Sequence, residues 1–223
     1  MKYFKSVLFA ILLIPLILSA QGFYPYNPSA GQTIQTSAAG VSVDRAFLVH
    51  FKILAVNAGA ADVDSVLAAH TDTGADSLFA TGFVSPLTPR NITATAGGTA
   101  GDIAAAQVVI VGTDYSGNAI TDSLTAFTVN TAGTIQGTLA FKTITSIYIP
   151  LHDGTGATTS IGYGDKLGIP YKLTHNTVIQ TFLGNSLEGT APTVVTSSSA
   201  ISQNTVDLNS ALDGTNVDIY LIY

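Results

Sequence analysis

The chain has no cysteine, a single glutamate (Glu188) and only eight lysines and arginines among 223 residues. Each shortage excludes something. Without thiols there are no disulfides and no thiolate metal site. With one glutamate, the carboxylate pair of a glycoside hydrolase would have to be built from aspartates. The basic residues Lys2, Lys5, Arg45, Lys52, Arg90, Lys142, Lys166 and Lys172 are scattered, so no patch forms a nucleic-acid footprint. Charged residues reach only 10 %, against 47 % hydrophobic, where a quarter or so charged is usual. Much of the surface is therefore Thr, Ser, Asn, Gly and Ala. Such a surface suits a protein covered by copies of itself or by a partner, and equally a secreted β-protein with a Thr/Ser-rich face.

The N-terminus reads differently from the rest. Lys2 and Lys5 precede an apolar run from Val7 to Leu18 and a small-residue site at Leu18-Ser19-Ala20, the layout of a secretory signal peptide. Residues 1–20 are read as that leader, or as an apolar anchor if uncleaved; the run is short for a membrane span of roughly 20 residues. Residues 21–40, with Pro25, Pro28 and many small polar residues, are an extended arm or linker. Phe23, Tyr24 and Tyr26 make this arm a candidate interaction element. They dock on a neighbouring subunit or pack on their own domain.

Residues 41–223 read as a single β-rich domain. Val41 to Val56 alternates, with Phe47, Val49, Phe51 and Ile53 on one face. Asp62 to His70 is either a short helix capped by Asp62 or an irregular strand. Asp76–Phe83, Arg90–Ala94, Ile103–Thr113, Ala119–Val129, Lys172–Leu183, Thr193–Ile201 and Asn216–Tyr223 read as strands, Asn204–Leu208 as a strand or turn. Turns are expected at Thr71–Ala75, Thr95–Asp102, Tyr115–Asn118 and Asn130–Gly137, and a loop at Ser186–Pro192. The stretch Ala140–Leu173 organises the rest: a strand ended by Pro150, a polar turn, a short second strand at Ile161–Tyr163, and a rigid corner over Gly164–Tyr171 with its two glycines and proline. Strands recurring about every ten residues between Gly/Asn/Asp/Ser turns indicate an all-β fold, an antiparallel β-sandwich or barrel-like domain.

Candidates for chemistry are few. His50, His70, His152 and His175 show no metal-ligand spacing. His152-Asp153 beside Gly154 is the best placed of them, and a solvated histidine in a turn explains it. Asp62, Asp64, Asp72 and Asp76 raise calcium, but their spacing is not that of an EF-hand, and turn formation accounts for them. Asn91-Ile92-Thr93 fits the glycosylation triplet. No serine sits in a G-x-S-x-G elbow. No catalytic, cofactor-binding or metal residue is assigned, and the chain reads as a non-enzyme.

Several blocks, in order, resemble a family of small virion structural proteins of tailed phages and prophages, encoded near the major capsid protein. They are Pro89-Arg90-Asn91-Ile92-Thr93-Ala94-Thr95-Ala96-Gly97-Gly98-Thr99-Ala100, Val111-Gly112-Thr113 with Gly117-Asn118-Ala119-Ile120-Thr121, and Ala126-Phe127-Thr128-Val129-Asn130-Thr131-Ala132-Gly133. The longest runs from Ala140-Phe141-Lys142-Thr143 through Ile149-Pro150, His152-Asp153-Gly154-Thr155-Gly156-Ala157 and Gly164-Asp165-Lys166-Leu167-Gly168; the last is Thr205–Leu212. The resemblance implies a capsid decoration protein without enzymatic activity, located in the virion. Its partners would be a capsid protein or copies of itself, with a trimer as the first assembly to test. A leader departs from that pattern, because tailed-phage heads assemble in the cytoplasm. Either residues 1–20 are an upstream extension, or the protein is a membrane-associated virion component, or a related domain is adopted for the cell surface. The alternative function is a secreted or surface-anchored β-sandwich binding module, with glycans a candidate ligand, which the leader, the low charge and the nine tyrosines support. A secreted hydrolase is the third reading, resting on the aspartates and His152.

Overall fold

Turn chemistry breaks this chain so often that no helix longer than a single 3-10 turn forms among the residues that the computed structural model describes, 33–35, 42–44 and 46–223. A first unit, ending at Phe47, carries a hairpin of β1 (Thr33–Gln35) and β2 (Ser42–Asp44). The second unit, Leu48–Tyr223, holds β3 (Leu48–Ile53), β4 (Asp62–Thr71), β5 (Ser77–Phe79), β6 (Arg90–Gly98), β7 (Val109–Thr113), β8 (Ala119–Ser123) and β9 (Gly133–Phe141). It continues with β10 (Thr143–Ile149), β11 (Ala157–Gly168), β12 (Val178–Leu183), β13 (Ser186–Leu187), β14 (Thr193–Val195), β15 (Thr205–Asp207) and β16 (Val217–Ile222). Every pairing is antiparallel, as the alternation predicts.

The strands of the second unit form three sheets. The largest runs β14-β15-β11-β6-β9, with β4 also paired to β11. One four-stranded sheet is β5-β10-β7-β8; the other is β13-β12-β16-β3. Period-two patterning divides them into two cores. Ile92, Ala94 and Ala96 of β6 point to one side, with Ile110, Phe141, Ile147 and Ile161, in the first core. Leu167, at the far end of β11, and Ile169, just beyond it, join Val206, Val217, Ile219 and Leu221 in the second. β11 thus runs through both. The strand expected to end at Tyr163 continues through residues 164–168, where the sequence suggests a corner, because Leu167 and Gly168 pair with β15. The chain leaves the sheet only at Ile169-Pro170. β7 lies between β10 and β8, as its double apolar face requires.

Asp62–Thr71 is a ten-residue strand. Its helical spacing loses to pairing with β11, and the extra residues between Asp62 and Leu67 form a bulge over β11. Thr95–Gly98, expected to be turn, completes β6; the chain turns only after Gly98, at φ +79. A Cβ there would meet the Gly156 carbonyl oxygen at 2.2 Å. Gly133–Gly137 is likewise strand, the start of β9. Conversely, Ile103–Val108, Leu124–Val129 and Lys172–Thr177 are not strand. Ser186–Leu187 pairs back on β12 through Gly184 and Asn185, both at positive φ (57 and 68), the geometry of a two-residue hairpin.

Candidate functional site

His152 is buried in the turn between β10 and β11, not solvated as the sequence suggests. It is 3 % exposed. Its Nδ1 accepts the Ala104 amide at 3.2 Å and its Nε2 faces the Thr159 hydroxyl at 2.8 Å. An Nδ1 that accepts leaves the proton on Nε2, so the imidazole donates to Thr159 and cannot take its proton. Thr159, 1 % exposed, is therefore not an activated nucleophile. The backbone N–H of His152 donates to Asp72 at 2.7 Å. The whole arrangement fastens the turn.

The four N-terminal aspartates of the second unit are dispersed into separate tasks. Asp72 also accepts the Gly74 amide at 2.6 Å. Asp76 accepts the Tyr148 hydroxyl at 2.6 Å and the Leu151 amide at 2.9 Å. Asp62 accepts the Asp64 amide at 3.1 Å. Among the described residues no group of three or more His, Asp or Glu side chains is placed to hold a metal ion.

Asp76 gives a pH-dependent expectation. The Tyr148 hydrogen bond, then that from Leu151, holds its carboxyl below the usual range. A depressed folded pKa stabilises above the unfolded value of about 3.9 and loses its effect as pH falls through the lower folded one. Asp76→Asn should therefore lower the melting temperature at neutral pH. The gap to the parent should close as pH falls below the unfolded value and through the lower folded one; thermal melts from pH 7 to 2 check this.

Asn91 is fully buried. Its amide oxygen accepts the Lys166 N–H at 3.1 Å and its NH2 donates to the Gly137 carbonyl at 3.4 Å. The folded unit thus offers no glycan acceptor there. The arm residues Phe23, Tyr24 and Tyr26, and the apolar run before them, lie outside the described residues. No helix of the described residues is long and apolar enough to cross a membrane.

Two of the concavities among the described residues gather polar and aromatic side chains, and neither is legible as a motif. On the outer face of β12, β16 and β3, Tyr220 stands opposite His50 and Asp218 opposite Lys52. The His50 and Tyr220 rings stack at 4.5 Å, and Phe182 meets Tyr220 edge-on at 5.8 Å. The Asp218 carboxylate lies 2.6 Å from His50 Nε2 and 3.7 Å from Lys52 Nζ. Only the register of β12, β16 and β3 brings these residues together.

The second concavity, of about 220 Å³, lies where β4, β6, β9, β11 and β15 meet, with Asp62, Thr93, Gln136, Tyr163, Asp165 and Asp207 in its wall. Arg90 lies under Tyr163, its guanidinium 4.3 Å from the ring centroid. It donates to the Gly164 carbonyl at 2.6 Å, the Gly59 carbonyl at 2.8 Å and the Asp165 carboxylate at 3.3 Å.

Compared with family models, curated proteins and solved structures, the chain matches none. The geometry is that of a sheet scaffold whose buried polar groups hold turns and whose open polar groups line surface hollows.

Proposed function

We propose that this chain is a non-enzymatic virion structural protein that decorates or stabilises a capsid surface, as copies of itself bound to the capsid protein. The observation that carries the reading is the exposed apolar surface of the second unit. Leu78, Val84 and Leu87 are each 64 to 72 % exposed, and Leu48, Leu54, Val56, Ile179 and Leu187 are also open. Single exposed hydrophobics are ordinary. Here they occur on a chain with only 10 % charged residues, which leaves little to keep a free monomer dispersed. The order of the phage-like blocks supports the same reading. His152 and Thr159, the closest approach to a hydrolase pair, are committed to the fold.

Sedimentation tests it. The chain starting at Gln21, at micromolar concentration, should sediment as a multimer, with a trimer the first expectation, and should pellet with tailed-phage capsids assembled from a capsid protein of the same genome. A monomer that stays in the supernatant overturns the proposal. A second reading, a surface module for glycans, is favoured by the Phe182, Tyr220 and His50 rings beside Asp218 and Asn185. Retention on a glycan array that Tyr220→Ala abolishes would put that reading first.

A further inference from the structure

We propose that the hollow between β4, β6, β9, β11 and β15 is a binding site for an organic cation, an ammonium or guanidinium group, independently of the virion reading. Three carboxylates, Asp62, Asp165 and Asp207, line it, and no basic residue does. Its floor carries a second, independent sign of a missing partner. Thr93 is 4 % exposed, and its hydroxyl makes no hydrogen bond among the described residues. A buried hydroxyl left unpaired costs stability, and here it borders the hollow.

The chemistry narrows the ligand. Ionised carboxylates only accept hydrogen bonds, and Thr93 and Gln136 can accept as well. A ligand that only donates, and carries positive charge, complements such a wall; that is an ammonium or a guanidinium. A bare metal ion fits less well, because the carboxylates are spread too widely to ligate one together. A neutral sugar would leave the negative charge uncompensated. The charge is already strained: burial pushes the Asp207 carboxyl up from its ordinary range, and Asp165 adds to this while Lys166 opposes it. Arg90 satisfies Asp165 from beneath but does not line the hollow. At about 220 Å³ the space is below the roughly 300 Å³ where drug-sized pockets begin, so it takes a side-chain headgroup and not an oligomer.

Two sources offer that chemistry, a side chain of a neighbouring protein and a free polyamine. Calorimetric titration of the full chain separates them. The probes are acetyl-Gly-Arg-Gly-amide, agmatine, the neutral acetyl-Gly-Gln-Gly-amide and calcium chloride. Saturable binding is expected for the arginine peptide or agmatine, with a dissociation constant near ~1 mM. An arginine peptide that binds as well as agmatine identifies the side-chain source; binding by agmatine alone identifies the polyamine. Asp207→Asn should weaken binding about fivefold or more, and Thr93→Val about threefold. Thr93→Val removes a buried, unpaired hydroxyl and Asp207→Asn a half-buried carboxylate whose charge burial disfavours, so melting temperatures should hold or rise. The proposal fails if the glutamine peptide or calcium binds equally well, if neither cation saturates, or if both variants bind as the parent does.

Discussion

Gly162→Ala should cost the second unit about 4 kcal/mol or more, the range kept for changes the fold cannot absorb. A Cβ at residue 162 would lie 1.8 Å from the Asp62 carbonyl oxygen and 2.6 Å from the Val63 carbonyl carbon. Both are backbone atoms, so no rotamer change relieves the clash. They belong to the bulge of β4, which is held on both sides. Upstream, Asp62 pairs with Tyr163; downstream, Leu67 pairs with Ile161, and Val66 and Leu67 are anchored in the first core. Ser160 also donates to the Val63 carbonyl at 2.9 Å. Making room means lifting β4 off β11 and withdrawing Val66 and Leu67, each worth roughly 1.5–3 kcal/mol when fully buried. Urea unfolding of the variant, beside a Gly101→Ala control whose added Cβ meets nothing within 4 Å, tests this. A Gly162→Ala midpoint equal to the control's would show that β4 does not cross there.

That crossing also marks where the sequence stops being informative. Alternation identified the β3 face of Val49, Phe51 and Ile53, and turn residues identified the β7–β8 hairpin and the turn before β11. These are local signals: a period of two, or one glycine or asparagine where φ must be positive. Asp62–Thr71 carries helical spacing because its bulge breaks the period of two, and the pairing that decides the matter lies about ninety residues away on β11. The same distance hid both hollows. Tyr220 and His50 stack only because β16 lies beside β3. Thr93, Gln136, Tyr163 and Asp207 share a wall only because four strands converge. His152 was misread for a related reason. Its neighbours Asp153 and Gly154 signal a turn, and a turn is usually wet. The partners that bury it, Asp72, Ala104 and Thr159, come from three other segments.

Arg90→Leu should destabilise by about 3–5 kcal/mol, the cost of removing one member of a buried charged network. Arg90 is 2 % exposed, and burial pulls its pKa down while Asp165 and Tyr163 oppose the shift. Desolvating the charge is unfavourable, so its value lies in what it satisfies. It reaches the carbonyls of Gly164 and Gly59 and the carboxylate of Asp165, and it lies flat on Tyr163. Leucine fills some of the volume and abandons all three acceptors, two of them backbone carbonyls: Gly164, in the irregular stretch of β11 between Tyr163 and Leu167, and Gly59, ahead of β4. Lysine keeps the charge but lacks the planar fork, so Arg90→Lys should recover less than half of the loss. Asp165→Asn should be milder than Arg90→Leu. The Asp165 side chain is 26 % exposed, and the two carbonyl contacts of Arg90 survive that change. The order expected in denaturant unfolding is therefore parent, Asp165→Asn, Arg90→Lys, Arg90→Leu, from most to least stable. An Arg90→Leu variant as stable as the parent would mean that apolar packing alone holds β6 to β11 at this point.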